Sequence, residues 1–280
     1  MKRRIAVIGL GIMGHAMADN FLKNGYEVWV WNRSPRKADD LKGAKLAGSP
    51  KQAAANADIV FEVTANDESS RQVWLGEDGI LSGGGPEKYL VASPTLSVDW
   101  VDELAAKCRE QGLTFFDMPL TGGRKAAEAG KLVLLVGGDK AKLDEIAADL
   151  KAIARSIKYF GPAGSGTKYK LILNTLQGTI LVAFGEAMRM AAEAGLDQKI
   201  VGEALTEAPG GYTVEVAHNS YQNDPKPINF SLAWEDKDLN YAKRMAAKGD
   251  YPVRDEVIEK FDQALKNGHG DNDWSAVNKL

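Results

Sequence analysis

The 280-residue chain is poor in the residues that usually build disulfides and metal centres. Its single cysteine, Cys108, cannot close an internal disulfide, and three histidines (His15, His218, His269) give no ligand set for a dedicated zinc site. Neither sign of charge is in excess. The 35 Lys and Arg against 38 Asp and Glu leave −3, so a nucleic-acid partner is not expected. No unbroken apolar run approaches the roughly 20 residues of a membrane span, and no membrane association is expected. Met1-Lys2-Arg3-Arg4 is basic but leads into a short strand and a glycine turn, without a signal-peptide core. What is present is ordinary. Hydrophobic residues at 44% and charged residues at 26% suit a soluble, cytoplasmic protein of one large or two medium domains.

Strand and helix patterns alternate through the first half. Ile5–Ile8, Glu27–Trp31, Asp58–Val63, Tyr89–Ala92, Thr114–Phe116 and Leu132–Val136 are short apolar runs, separated by helical spacing such as Met13–Lys23 and Val98–Gln111. Such alternation predicts an α/β fold with crossover units and a mostly parallel sheet covered on both faces. After the glycine-rich stretch at 161–166 the pattern changes. Thr167–Gly195 contains no proline and predicts one long helix of about 40 Å. Further helices are expected at Gln198–Glu207, Ser231–Lys248 and Val253–Asn267, and no strand run appears after Tyr159. The expected division is 1–162 for the sheet domain and 163–280 for an all-helical domain, joined by the long helix.

Gly9-Leu10-Gly11-Ile12-Met13-Gly14 matches G-x-G-x-x-G. The first glycine permits a tight turn, the second lets a pyrophosphate approach the backbone, and the third allows close helix–strand packing. A glycine turn without a ligand satisfies the pattern alone. Here it follows a predicted strand and opens a predicted helix, as dinucleotide binding in a Rossmann-type domain requires. The second strand ends Asn32-Arg33-Ser34, with Arg36 and Lys37 close behind, where an NAD site usually carries an acid for the ribose 2′-hydroxyl. A guanidinium suits a 2′-phosphate, so NADP is the expected cofactor; a solvated basic loop is the plainer alternative.

Hydride transfer to a carbonyl needs a proton donor near the developing alkoxide. None of the eight tyrosines has Lys four positions on, which excludes the Tyr-x-x-x-Lys solution. Lysine remains. Lys170 and Asn174 are spaced i, i+4 on one face of the long helix, at the expected domain boundary. Both types are also common as solvated or capping residues. Directly after a predicted strand comes Asp117-Met118-Pro119-Leu120-Thr121-Gly122-Gly123, whose glycines free backbone N–H groups to face an anion while Thr121 adds a hydroxyl. A plain turn is the alternative there.

These motifs, in this order, resemble the β-hydroxyacid dehydrogenase family over nearly the whole chain. Gly9–Gly14 with Met17-Ala18 and Asn20 is similar to its cofactor signature, and Asp117–Gly123 to its D-x-P-x-S-G-G substrate loop. Gly164-x-Gly166-x-x-x-Lys170 with Asn174 is similar to its catalytic segment, and Phe230–Leu239 with Lys237-Asp238-Leu239 to its C-terminal motif. The resemblance implies Lys170 as catalytic lysine, Asn174 as a substrate-orienting amide, and Thr121, Gly122 and Gly123 around a substrate carboxylate. It implies Thr95 near the nicotinamide, Lys237 approaching the cofactor, and a homodimer or homotetramer. Pro94, Thr121 and Leu173 depart from the usual Ser, Ser and Asn, and Thr64-Ala65 stands where many members have Leu-Pro. The expected activity is NADP-dependent interconversion of a short β-hydroxyacid or 2-hydroxyacid with its semialdehyde or keto acid. Imine reductases resemble the N-terminal half but lack the lysine; a nucleotide-sensing or chromatin-type module that has lost the catalytic lysine is the third reading, and Lys170 argues against both.

Overall fold

Side chains along each apolar run alternate between two cores. Ile5 and Val7 enter one with Val28, Val30, Ile59 and Phe61, whereas Ala6 and Ile8 enter the other with Val60, Leu90 and Trp100. Both faces of the sheet are therefore buried, which is why the runs are continuously apolar. The computed structural model describes residues 2–207, 211–223, 225–248 and 250–280.

In chain order the first elements are β1 (Ile5–Ile8), α1 (Ile12–Lys23), β2 (Val28–Trp31), β3 (Lys45–Leu46), α2 (Pro50–Ala55), β4 (Ile59–Glu62) and α3 (Asp67–Leu75). Then come α4 (Ile80–Gly83), β5 (Tyr89–Ala92), α5 (Val98–Glu110), β6 (Thr114–Asp117), β7 (Leu120–Thr121), α6 (Gly123–Glu128), β8 (Leu132–Gly138), α7 (Lys140–Leu150) and β9 (Ala154–Gly161). Strands β3-β2-β1-β4-β5-β6 are parallel, β8 runs antiparallel to β6 and to β7, and β9 lies parallel to β8. A doubly wound sheet of this kind presents its ligand-binding edge at the carboxyl ends of the strands. One row of that edge is in register: Trp31, Ile8, Glu62, Ala92 and Asp117.

Helices follow: α8 (Ser165–Glu193), α9 (Gln198–Glu207), α10 (Gly211–Gln222), α11 (Leu232–Met245) and α12 (Pro252–Lys266). Their core gathers Leu181, Phe184, Met188, Leu232, Leu239 and Phe261. By length and mean hydropathy α8 could cross a bilayer, yet Leu181, Phe184 and Met188 are buried in this core.

Strands β3, β7 and β9 and helices α6 and α10 lie outside the expected runs. β3 and β7 have two residues each, and β9 is largely exposed, so none carries an apolar run. α10 opens Gly211-Tyr212-Thr213-Val214, residues that disfavour helix intrinsically. The chain forms two compact units, Met1–Lys170 and Leu171–Leu280. The division falls inside α8, eight residues beyond the expected boundary at 162, because the start of α8 is bonded to the sheet.

Candidate active site

The glycine turn between β1 and α1 has no room for side chains at two of its three positions. A Cβ on Gly9, whose φ is +102°, would stand 2.4 Å from the Val63 carbonyl oxygen, and one on Gly14 would stand 1.9 Å from that of Gly9. At Gly11 a Cβ would meet nothing within 4 Å. Two glycines thus serve packing, and the third leaves the backbone open at the start of α1, where N–H groups suit a pyrophosphate. The geometry fits a dinucleotide. Leu10 is buried, while Ile12 and Met13 are half-buried in the first turn of α1.

Asn32 ties the turn to the end of β2. Its Oδ1 accepts the Leu10 N–H at 2.9 Å and its Nδ2 donates to the Ser34 carbonyl at 3.0 Å, so it braces both segments. Arg33, Ser34 and Lys37 are exposed beyond it, and Arg33 makes no ion pair among the described residues. Thr95 is half-buried between β5 and α5.

Asp117 closes β6 with its carboxylate buried. Its Oδ1 accepts the Gly164 N–H at 2.7 Å and its Oδ2 the Thr167 N–H at 2.6 Å. Burial pushes its carboxyl above the usual range, while the backbone donors pull it back down. Gly166 allows the contact, since a Cβ there would stand 2.2 Å from the Leu135 carbonyl oxygen. The motif residues 164 and 166 therefore seat α8 on the sheet, and Lys170 follows one turn later, half-buried. From the same strand end the chain runs through β7, so Thr121 pairs with Val133 in a short strand where a loop was expected. Gly122 and Gly123 are exposed after it. Asn20 on α1 holds this segment from the far side, donating to the Ala127 carbonyl at 2.8 Å.

In the second unit Asn174 is buried and donates from Nδ2 to Asp238 Oδ2 at 2.6 Å. The other carboxylate oxygen of Asp238 pairs with Lys237 Nζ at 2.8 Å. Asp238 consequently fixes which way the Asn174 amide faces, leaving its Oδ1 for another donor. Asp117 and Asp238 stood in recognised motifs without a role; their partners lie 47 to 64 residues away in sequence, which spacing does not reveal.

Residues 4–161 match the model of the NAD-binding domain of 6-phosphogluconate dehydrogenase, and residues 164–280 match the NAD-binding model of NADP-dependent 3-hydroxyisobutyrate dehydrogenase. The chain belongs to the β-hydroxyacid dehydrogenase family. A glyoxylate/succinic semialdehyde reductase of Arabidopsis thaliana is 31% identical over 98% of this chain and 78% of its own. An NAD-dependent L-serine dehydrogenase of Pseudomonas aeruginosa is 30% identical over 99% and 97%. A structure of Mycobacterium tuberculosis 3-hydroxyisobutyrate dehydrogenase with L-serine superposes with a TM-score of 0.86 at 28% identity, covering 99% of this chain and 98% of that one. This β-hydroxyacid dehydrogenase homologue is thus an oxidoreductase with a nicotinamide dinucleotide cofactor, and the family's substrates are small hydroxyacids.

Proposed function

We propose that the chain is an NADP-dependent dehydrogenase or reductase, with Lys170 as general acid and base. Its substrate is a short carboxylate-bearing semialdehyde or keto acid, or the corresponding hydroxyacid. The observation that carries this reading is the seating of α8 by Asp117. One strand end both anchors the helix bearing Lys170 and leads into Thr121-Gly122-Gly123. Gly9, Leu10, Gly11, Ile12, Met13 and Gly14 hold the pyrophosphate, Arg33 with Ser34 and Lys37 the 2′-phosphate, and Thr95 and Lys237 the nicotinamide half. The bound cofactor supplies or accepts the hydride. The Lys170 ammonium stabilises charge developing on the carbonyl oxygen and donates a proton to it; in oxidation the neutral amine removes it. Asn174 orients the reacting oxygen without taking its proton, and the Thr121 hydroxyl with the two glycine N–H groups holds the carboxylate. The reading carries with it a cytoplasmic homodimer or homotetramer.

The test compares wild type with Lys170→Ala on succinic semialdehyde, glyoxylate and neutral aldehydes of equal length, using NADPH and NADH. Loss of general acid catalysis should lower kcat about 10²- to 10⁴-fold while NADPH affinity stays unchanged. The acids should exceed the neutral analogues in kcat/KM, and NADPH should exceed NADH. A variant that keeps more than about a tenth of wild-type kcat assigns the proton to another group. A clear NADH preference removes Arg33 from the cofactor site.

A further inference from the structure

Glu62, the last residue of β4, is a carboxyl buried without an ion-pair partner among the described residues. Its in-register neighbours are Ile8 and Ala92. Oε1 accepts the Thr64 backbone N–H at 3.1 Å and the Thr64 hydroxyl, and Oε2 accepts the indole N–H of Trp74 on α3 at 3.2 Å. These bonds start a circuit. Thr64 lies against the glycine turn, its nitrogen 3.4 Å from a Cβ placed on Gly9. Two residues on, Asn66 caps α3 in a reciprocal box with Ser69. Asp67 Oδ1 accepts the Ser97 N–H at 2.9 Å, and Ser97 caps α5. Trp100 on α5 returns to α3 through its indole N–H, bonded to Ser70 Oγ at 2.9 Å.

We propose that Glu62 is a positioning residue for the dinucleotide site: its ionised carboxylate holds residues 64–67, and through Asp67 residues 95–97 with Thr95, in the geometry that the cofactor requires. The proposal rests on the dinucleotide-dependent reading above and adds a residue to it. The donors favour the charged form, in opposition to burial. A carboxylate only accepts, and here both oxygens face N–H groups; a protonated acid or an amide would turn a donor toward one of them. Burial pushes the Glu62 carboxyl up to about 7, against the pull of Thr64 and Trp74. Among the described residues the hydrogen-bond partners of Glu62 are the uncharged Thr64 and Trp74. On α3, Asp67 is bonded to Ser97, and Arg71 pairs with Glu103 of α5 at 2.7 Å over the Trp100 ring. Glu68 on α3 and Asp99 on α5 are other acids of those helices, and Lys51 of α2 is exposed. Asp117 is two strands away on the same row, about 10 Å by strand spacing.

The experiment measures NADPH and NADH affinity across neutral pH, with amide exchange at Thr64 and Ser97, for wild type, Glu62→Gln and Thr64→Val. Wild-type affinity should rise through a step near pH 7. Glu62→Gln should lose the step, bind about tenfold more weakly above it, and exchange both amides faster. Thr64→Val, which removes one donor, should move the step to higher pH. A Glu62→Gln protein with the step and the protection intact overturns the proposal. If that variant does not fold, an unmoved step in Thr64→Val overturns it instead. A wild-type protein that binds neither dinucleotide defeats the functional reading, while exchange at Thr64 and Ser97 still decides the role of Glu62.

Discussion

Asp117 and Glu62 end parallel strands two apart on one row of the sheet, both are buried, and burial pushes both carboxyls upward. Their donors differ. Asp117 takes two backbone N–H groups from the start of a long helix, so its bonds order a secondary element. Glu62 takes a hydroxyl, an indole and one backbone N–H from the segment directly beyond its own strand, so its bonds order a loop. Burial of a carboxyl thus accompanies a helix anchor in one place and a proton-sensitive brace in the other. What separates them is who donates.

Removing the anchor should have the largest effect. Asp117→Ala leaves two buried N–H groups without acceptors, at about 1–3 kcal/mol each, and displaces the helix turn before Lys170. Urea unfolding should register the loss, together with a kcat lower by about 100-fold, the scale of a misplacement near 1 Å. A variant that keeps both stability and kcat would make the two carboxylates equivalent.

The cost of ionising the buried Glu62 should appear as a pH dependence of opposite sense to that of an ordinary paired acid. Glu62 has a folded value of about 7 against an ordinary 4.5, so the folded state holds a proton that the unfolded state has lost between them. Its contribution to stability is therefore full below pH 4.5 and is lost as pH rises through 7, by about 3 kcal/mol in total. Unfolding measured across that window should show the decline in wild type and none of this part in Glu62→Gln. An identical decline in both would remove Glu62 as its source. The smallest effect belongs to Lys168, exposed on α8 two residues before Lys170. Lys168→Ala should stay within about 0.5 kcal/mol of wild-type stability and near wild-type kcat, and a large loss there would detach the chemistry from Lys170.

Local patterns carried the glycine turn, the alternating sheet domain and the Lys170–Asn174 spacing, because each depends on neighbours a few residues apart. The antiparallel β8 and the exposed β9 did not show, since strand direction and edge pairing depend on distant partners. Glu62 sat inside a run read simply as an apolar strand. An acid in such a run, with Thr64 two residues on and Trp74 on the next helix, was the available signal. Arg33 read as basic, and the structure adds only that it is exposed. Asn174 read as a substrate-orienting amide, and the structure adds that its amide nitrogen donates to Asp238 on another helix, a partner that spacing could not show.

The anchoring of α8 also determines where this chain can be cut. The strands end at Gly161, which invites truncation there, but such a fragment would strip Asp117 of both donors. A fragment ending after Lys170 retains them. The residues from Ser165 to Lys170 are far too few to hold a helix by themselves. They keep their form as a graft on the sheet, so the compact unit that carries the sheet ends within the first two turns of a helix and not at the last strand.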